Sequence, residues 1–272
     1  MKILVFGGGL GNQIFEYAFY LYLKSKYPQE SFWGVYNKYK LSEHNGLEIN
    51  KWFEAELPKS SFLASMITYL SYSLKLILKR TKLLDLHTRI CLNESALIFN
   101  AYKYTKSYIP TGNWLNWKLK KEMLSGLNRE ILQQITDSNS FFIHVRRGDY
   151  QSEKYKKFFE GTCPISYYMK AINHVLSNEK EPHFFIFSDD IKWTKEKIKI
   201  KNSTFIDWNQ GENSPIDMFL MSQCKGAILA NSTFSYWGAL LGTKKKVVYY
   251  PKKWINSVYG TPNIFFDEWI SF

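Results

Sequence analysis

The second half of this chain alternates short apolar runs with helix-like stretches, and that rhythm constrains the fold more than any other feature. Phe141-Phe142-Ile143-His144-Val145 is apolar apart from His144 and is bounded by polar and charged residues. This is the pattern of a strand buried in a parallel sheet. His183–Phe187, Ser203–Ile206, Gly226–Ala230 and Val247–Tyr250 read as further strands. Pro164–Val175, Asp217–Gln223 and Ser232–Leu241 read as helices between them. Such alternation predicts a doubly wound α/β sheet. The N-terminus opens in the same way: Ile3–Phe6, the glycine turn Gly7-Gly8-Gly9-Leu10-Gly11, then a helix from Asn12 to about Lys26. That helix carries Ile14, Tyr17, Ala18 and Leu21 at three-to-four spacing, as in the first unit of a Rossmann-like sheet. Residues 31–120 show no clear strand rhythm. Polar Gln133-Gln134 and Asp137–Ser140 mark a boundary, so residues 1–138 and 139–272 are expected to form two Rossmann-like domains.

The length of 272 residues suits one large α/β domain or two small ones, and 45% hydrophobic content allows a sizeable core. Net charge is +12, dispersed along the chain. It favours anionic partners, namely phosphorylated small molecules or anionic lipid. Nucleic acid is not expected, because no RNA- or DNA-binding motif accompanies the charge. Cys91, Cys163 and Cys224 are far apart, with no CxxC pair and no disulfide framework, which suits a reducing cytoplasm. No signal peptide is apparent at the N-terminus. Phe62–Leu78 is apolar but interrupted by serines, Thr68 and Lys75, and is too short and polar to cross a bilayer comfortably. It either packs on the core or, with Lys75, Lys79, Arg80 and Lys82, lies on an anionic membrane surface.

Four motifs are placed to bind or react. Gly8-Gly9-Leu10-Gly11-Asn12-Gln13 joins a strand to a helix, where glycines admit a ligand to the backbone and the helix terminus favours anions. It fails as a dinucleotide fingerprint, because Asn12 or Ile14 stands where the third glycine belongs and no ribose-binding acid follows. It lacks the Lys-Ser/Thr of a phosphate-binding P-loop as well. His144-Val145-Arg146-Arg147-Gly148-Asp149-Tyr150 falls where a buried strand ends, the edge at which ligands bind in open α/β sheets. Adjacent guanidiniums there call for anions, either phosphate oxygens or an aspartate of the same loop. Ser188-Asp189-Asp190 ends another strand; its carboxylates could hold a ribose or guanine, and Ser188 or Asp189 could cap the next helix. Asn231-Ser232-Thr233-Phe234-Ser235 opens a helix with small hydroxyls, suited to an anion or to ordinary capping. No HExxH, nucleophile elbow or Asp-x-Asp triplet occurs, and no metal is expected.

As an ordered set, GGLGNQIFEYA, HVRRGDY, CPISYYMKAI, FSDDIKW and DMFLMSQCKGAILANSTFSYWGALL followed by KVVYYPKKW resemble bacterial members of glycosyltransferase family 11, the α-1,2-fucosyltransferases. The resemblance touches most of the chain except residues 50–105. It implies a GT-B architecture, two Rossmann-like domains facing each other across a cleft, with residues 1–138 on the acceptor side and 139–272 binding the donor. It implies GDP-β-L-fucose as donor substrate, no separate cofactor, no metal, and an inverting transfer to the 2-hydroxyl of a galactoside in a surface glycan or oligosaccharide. In related fucosyltransferases with a His-x-Arg core the first arginine contacts the β-phosphate, which implies that role for Arg146. His144 and Asp149 complete the candidate catalytic group. Gly9, Gly11, Asn12, Gln13, Arg147, Ser188, Asp189, Asp190, Asn231, Ser232, Thr233, Phe234 and Ser235 are the candidate donor-binding residues. Asp149, Glu16 and His44 are each available as the acceptor's base. The expected location is the cytoplasm, with peripheral contact at the inner membrane. The competing readings are a nicotinamide-dependent oxidoreductase on the same sheet and a non-catalytic nucleotide- or membrane-binding protein.

Overall fold

A strand that is apolar along its length needs cover on both faces, and Lys2–Phe6 (β1) is buried at every position. The computed structural model describes residues 1–78, 96–99, 105–124, 126–242, 245–256 and 260–272. They divide into two units, residues 1–118 and 119–272. In the first, β1 lies between Phe32–Tyr36 (β2) and Ile98–Phe99 (β3), parallel to both. The helix Leu10–Lys26 follows, burying Ile14, Tyr17 and Ala18 as their spacing predicts. A second helix, Phe62–Leu78, meets the sheet through Ala64 and Ile67, beside Ile3, Val5, Trp33 and Val35. Lys79, Arg80, Lys82 and Cys91 lie outside the described residues.

The second unit carries a six-stranded parallel sheet. Its strands are Asn139–Val145 (β4), Pro182–Ser188 (β5), Ser203–Ile206 (β6), Gly226–Ile228 (β7), Val248–Tyr250 (β8) and Ile270–Ser271 (β9). They are ordered β6-β5-β4-β7-β8-β9. From β4 the chain winds outward through β5 to β6, then returns to build β7, β8 and β9 on the other side. The strand order therefore reverses between β4 and β7, and ligands of open α/β sheets bind outside the carboxyl ends of the strands at that point. On one face Phe141, Ile143 and Val145 pack against Tyr168, Ala171, Ile172 and Val175 of the helix Ile165–Asn178. His144, one residue out of phase, points the other way, its ring 5.9 Å from Phe234 of the helix Thr233–Leu240. Spacing of β4 from β7 depends on Gly226, where a Cβ would stand 2.1 Å from the Phe141 ring.

The division between units falls about twenty residues before the boundary expected from the polar stretch 133–140. The cause is a helix, Gly126–Asp137, whose Asn128, Ile131, Leu132 and Ile135 are buried while its glutamines face outward. Asn128 joins it to the second unit. Its Oδ1 accepts from Trp208 Nε1 at 2.9 Å and Asn209 Nδ2 at 2.8 Å, and its Nδ2 donates to Asn209 Oδ1 at 2.9 Å.

Candidate active site

Leaving β4, the chain turns sharply through Arg146-Arg147-Gly148 into the short helical turn Asp149–Gln151. Two neighbouring cations at the end of a buried strand must be answered, and three aspartates do so. Arg146 Nη2 pairs with Asp149 Oδ1 at 2.9 Å, and its Nη1 pairs with Asp189 Oδ2 at 3.1 Å. Burial opposes the charge of Arg146, but Asp189 and Asp149 outweigh it and raise its pKa above the ordinary value. Arg147 turns away from Arg146. Its Nε pairs with Asp190 Oδ2 at 3.2 Å, and its guanidinium lies 3.9 Å over the Trp193 ring. Arg147 thereby braces the loop through its Nε. Arg146 keeps unpaired N–H groups, since a guanidinium has five and these two bonds use one on each terminal nitrogen.

Ser188, Asp189 and Asp190 also make bonds within the protein. Asp189 Oδ1 accepts the Arg147 amide at 2.8 Å while Oδ2 holds Arg146. The approach is so close that a Cβ on Gly148 would lie 2.9 Å from Asp189 Oδ2. This is the physical need for glycine at 148. Asp190 caps the helix Ile191–Lys197 by accepting the Trp193 amide at 3.3 Å, where the sequence had suggested Ser188 or Asp189. Ser188 Oγ accepts from the Asp190 amide and from Thr194 Oγ1.

Across the strand-order reversal, the segment after β7 supplies the facing wall. Ser232 Oγ caps the helix Thr233–Leu240 by accepting the Phe234 amide at 3.3 Å. Ser235 is fully buried and donates to the carbonyls of Ser232 and Ala230, so its hydroxyl is structural. Asn231 Nδ2 donates to Thr162 Oγ1 and the Trp254 carbonyl, and its Oδ1 is buried without a partner. Tyr150, for which the sequence offered no role, links the two walls: its hydroxyl donates to the Asn231 carbonyl at 3.1 Å, and its ring lies 5.6 Å beneath the Arg146 guanidinium. Trp193 was missed as well; only its place one turn into a capped helix could have flagged it. His144 is 6% exposed, and burial together with the charge of Arg146 pulls its pKa down to about 3. It is a neutral imidazole, and its Nδ1 is buried with no hydrogen-bond partner. Orphaned ring nitrogens of this kind cost about 1–3 kcal/mol until something pairs with them.

In the first unit, Gly8 adopts φ +80°, and Gly9 precedes the helix as a cap with no side-chain hydrogen bond. Gln13 is not available to a ligand. It is completely buried, its Nε2 donating to the carbonyls of Gly8 and Gly46 and its Oε1 accepting the amides of Glu48 and Ile49. It welds the glycine turn to the loop that follows His44. A Cβ on Gly9 would touch the His44 ring at 3.4 Å, so His44 lies against the turn. Glu16 Oε2 accepts the Gly7 amide at 3.0 Å. Gly11 and Asn12 sit in the first turn of the helix. Among the described residues, no three His, Cys, Asp or Glu side chains are grouped as metal ligands.

Comparison with known proteins gives this geometry a family. The model of glycosyl transferase family 11 matches residues 115–272, more than half of the chain. The O-antigen biosynthesis glycosyltransferase WbnK of Escherichia coli is 39% identical over 137 residues, covering 50% of this chain and 45% of that protein. An alpha-1,2-colitosyltransferase of Escherichia coli is 31% identical over 264 residues, covering 89% of this chain and 88% of the relative. Galactoside alpha-(1,2)-fucosyltransferase 1 of Rattus norvegicus is 30% identical over 101 residues, covering 36% of this chain but only 27% of its own length. In structure, the fucosyltransferase NodZ of Bradyrhizobium superposes with TM-score 0.53 at 11% identity, covering 89% of this chain and 93% of NodZ. That likeness concerns the fold, two α/β units on parallel sheets in the GT-B class. The family match displaces both the oxidoreductase and the non-catalytic readings. On its motifs, its family model and a relative aligned along nearly its whole length, this chain belongs to glycosyltransferase family 11 and is a glycosyltransferase.

Proposed function

We propose that this chain moves L-fucose from GDP-β-L-fucose to the 2-hydroxyl of a galactoside, with inversion and without a metal ion. The observation that carries the reading is Arg146, fixed by two aspartates at the β4–β7 reversal with guanidinium donors to spare. As the sugar leaves, it becomes oxocarbenium-like and negative charge grows on the β-phosphate of GDP. Fixed donors stabilise such charge better than water, because they need not reorganise when it appears. Arg146 supplies the formal charge, and the N-terminal end of the helix Thr233–Leu240 adds the positive end of its dipole on the facing wall. His144 adds a neutral polar group whose free Nδ1 suits a ligand oxygen better than it suits an empty site. Asp149, Glu16 and His44 are the alternatives for the acceptor's base; of these, Asp149 pairs with Arg146 and Glu16 accepts the Gly7 amide. Support for the donor and acceptor comes from the galactoside fucosyltransferases among the relatives and from NodZ, which has been crystallised with GDP. A second reading, favoured by the relative that spans nearly the whole chain, keeps the linkage and replaces fucose with colitose.

GDP release from GDP-fucose, measured in EDTA with a galactose-terminated oligosaccharide, tests the proposal. Arg146→Ala is expected to lower kcat by about 100- to 1000-fold, the range for losing one fixed donor to a developing anion. A manganese requirement, or an unimpaired Arg146→Ala enzyme, overturns it. Faster turnover with a colitosyl donor selects the second reading.

A further inference from the structure

The helix Phe62–Leu78 is amphipathic the wrong way round for a surface helix. The side turned to the sheet is narrow: Ala64 is 1% exposed, Ile67 packs beside it, and Thr68 Oγ1 donates to the Ala64 carbonyl. Most of its large apolar side chains as far as Leu74 point outward. Phe62 is 86% exposed and Tyr69 71%, and Leu63, Met66, Leu70 and Leu74 are each at least two-fifths exposed. Positions 62, 66, 69, 70 and 74 recur at three and four residues, so these side chains form one stripe along the helix. A continuous apolar stripe of this size, facing away from the core, marks an interaction surface rather than incidental exposure.

Charge decides what the stripe meets. From Leu57 to Leu84 the sequence holds Lys59, Lys75, Lys79, Arg80 and Lys82 and no aspartate or glutamate. A second copy of the chain would bring the same cations to the contact and be repelled. An anionic lipid surface complements them, since clustered basic residues beside an amphipathic helix gain from the negative surface potential. No helix among the described residues is long and apolar enough to cross a membrane. We propose that this helix lies along an anionic membrane surface, its Phe62–Leu74 stripe among the lipid headgroups. Such a contact would keep the enzyme beside membrane-borne glycan acceptors. The inference stands on the first unit alone and does not depend on which sugar is transferred.

Flotation of the full chain with vesicles tests it, comparing pure phosphatidylcholine with phosphatidylcholine containing about one-third phosphatidylglycerol. The protein is expected to float with the anionic vesicles, to fall off at high salt, and to ignore the neutral ones. The double variant Phe62→Ser, Leu70→Ser is expected to bind at least about tenfold more weakly, given the apolar area removed, with unchanged turnover and melting temperature. The proposal is overturned by absence of flotation, by equal binding to both vesicle types, or by a double variant that binds like the parent. Light scattering that shows a dimer dissolved by the same substitutions overturns it too, by giving the stripe to a second copy. The lipid comparison needs only the parent protein, so a misfolded variant does not blunt the test.

Discussion

Replacing Asp189 with Asn distinguishes a carboxylate that positions Arg146 from one that grips the donor's ribose or base. Asp189 accepts the Arg147 amide on Oδ1 at 2.8 Å and Arg146 Nη1 on Oδ2 at 3.1 Å. Asn keeps an acceptor for the amide but sets an NH2 group against Nη1, turning a charge-assisted bond into a donor–donor contact. Bonds to charged groups contribute about 1.5–3 kcal/mol. With Asp189 a quarter and Arg146 nearly a third exposed, the lower end applies. Melting temperature should therefore fall by roughly 3–6 °C for a chain of this size. Arg146 would keep Asp149 as its remaining partner. Its guanidinium should be misaimed rather than lost, so the turnover penalty lies below that of full donor removal, at about 10- to 100-fold. The assay is steady-state release of GDP with donor varied at saturating acceptor. Positioning predicts a fall in kcat with donor KM nearly unchanged. A raised donor KM at normal kcat, or wild-type values for both, would refute the bracing role.

Gln13→Ala should destabilise the protein by roughly 2–5 kcal/mol, because the amides of Glu48 and Ile49 would be left buried without acceptors; thermal unfolding reads this, and a change confined to donor KM would restore Gln13 to ligand binding. Asp217 has its pKa pushed up to about 8, chiefly by burial, against an ordinary value of 3.8. Between those values the folded state holds a proton that the unfolded chain has released, so stability should fall as pH rises across that window. Asp217→Asn keeps an acceptor for Asn209 Nδ2, which lies 2.7 Å away. Denaturant midpoints should show a flatter pH dependence and greater stability than the parent at pH 8; an unchanged slope would remove Asp217 as its source.

The sheet of the second unit was legible because buried parallel strands leave uninterrupted apolar runs. The strand expected at Ser203–Ile206 has those same bounds, and β4, β5, β7 and β8 differ from expectation by only one or two residues at an end. The helix Gly126–Asp137 was overlooked although Asn128, Ile131, Leu132 and Ile135 keep a helical period. Its outward glutamines and the polar residues that follow mask that period and read as linker. β2 escaped since four of its five residues are half-buried, and β9 is too short to leave a pattern. For the site, the arginines at a strand's end were readable, since cations there must meet anions. The aspartate of the same loop was readable too, and Asp149 does pair with Arg146; Asp189 and Asp190 were not, because they reach Arg146 and Arg147 from forty-odd residues away. Sequence spacing identified the groups and the fold decided which were already engaged. Of the residues whose motif position suggested ligand contact, Gln13 uses both its donors and its acceptor inside the protein, while Arg147 and Ser235 are each partly engaged there.

The Gly226–Phe141 contact carries a consequence for how such chains diverge. A β-carbon at 226 would stand inside the van der Waals envelope of the ring. Two changes are then coupled: a side chain at 226 becomes admissible only after the ring at 141 has been traded for something smaller. Taken singly, the first is blocked by overlap and the second opens a void. Both positions lie on the paired strands β4 and β7, five residues before Arg146 and six before Ser232 respectively. Diversification of this half of the enzyme should therefore run through its loops, while the pair beneath them changes jointly or not at all.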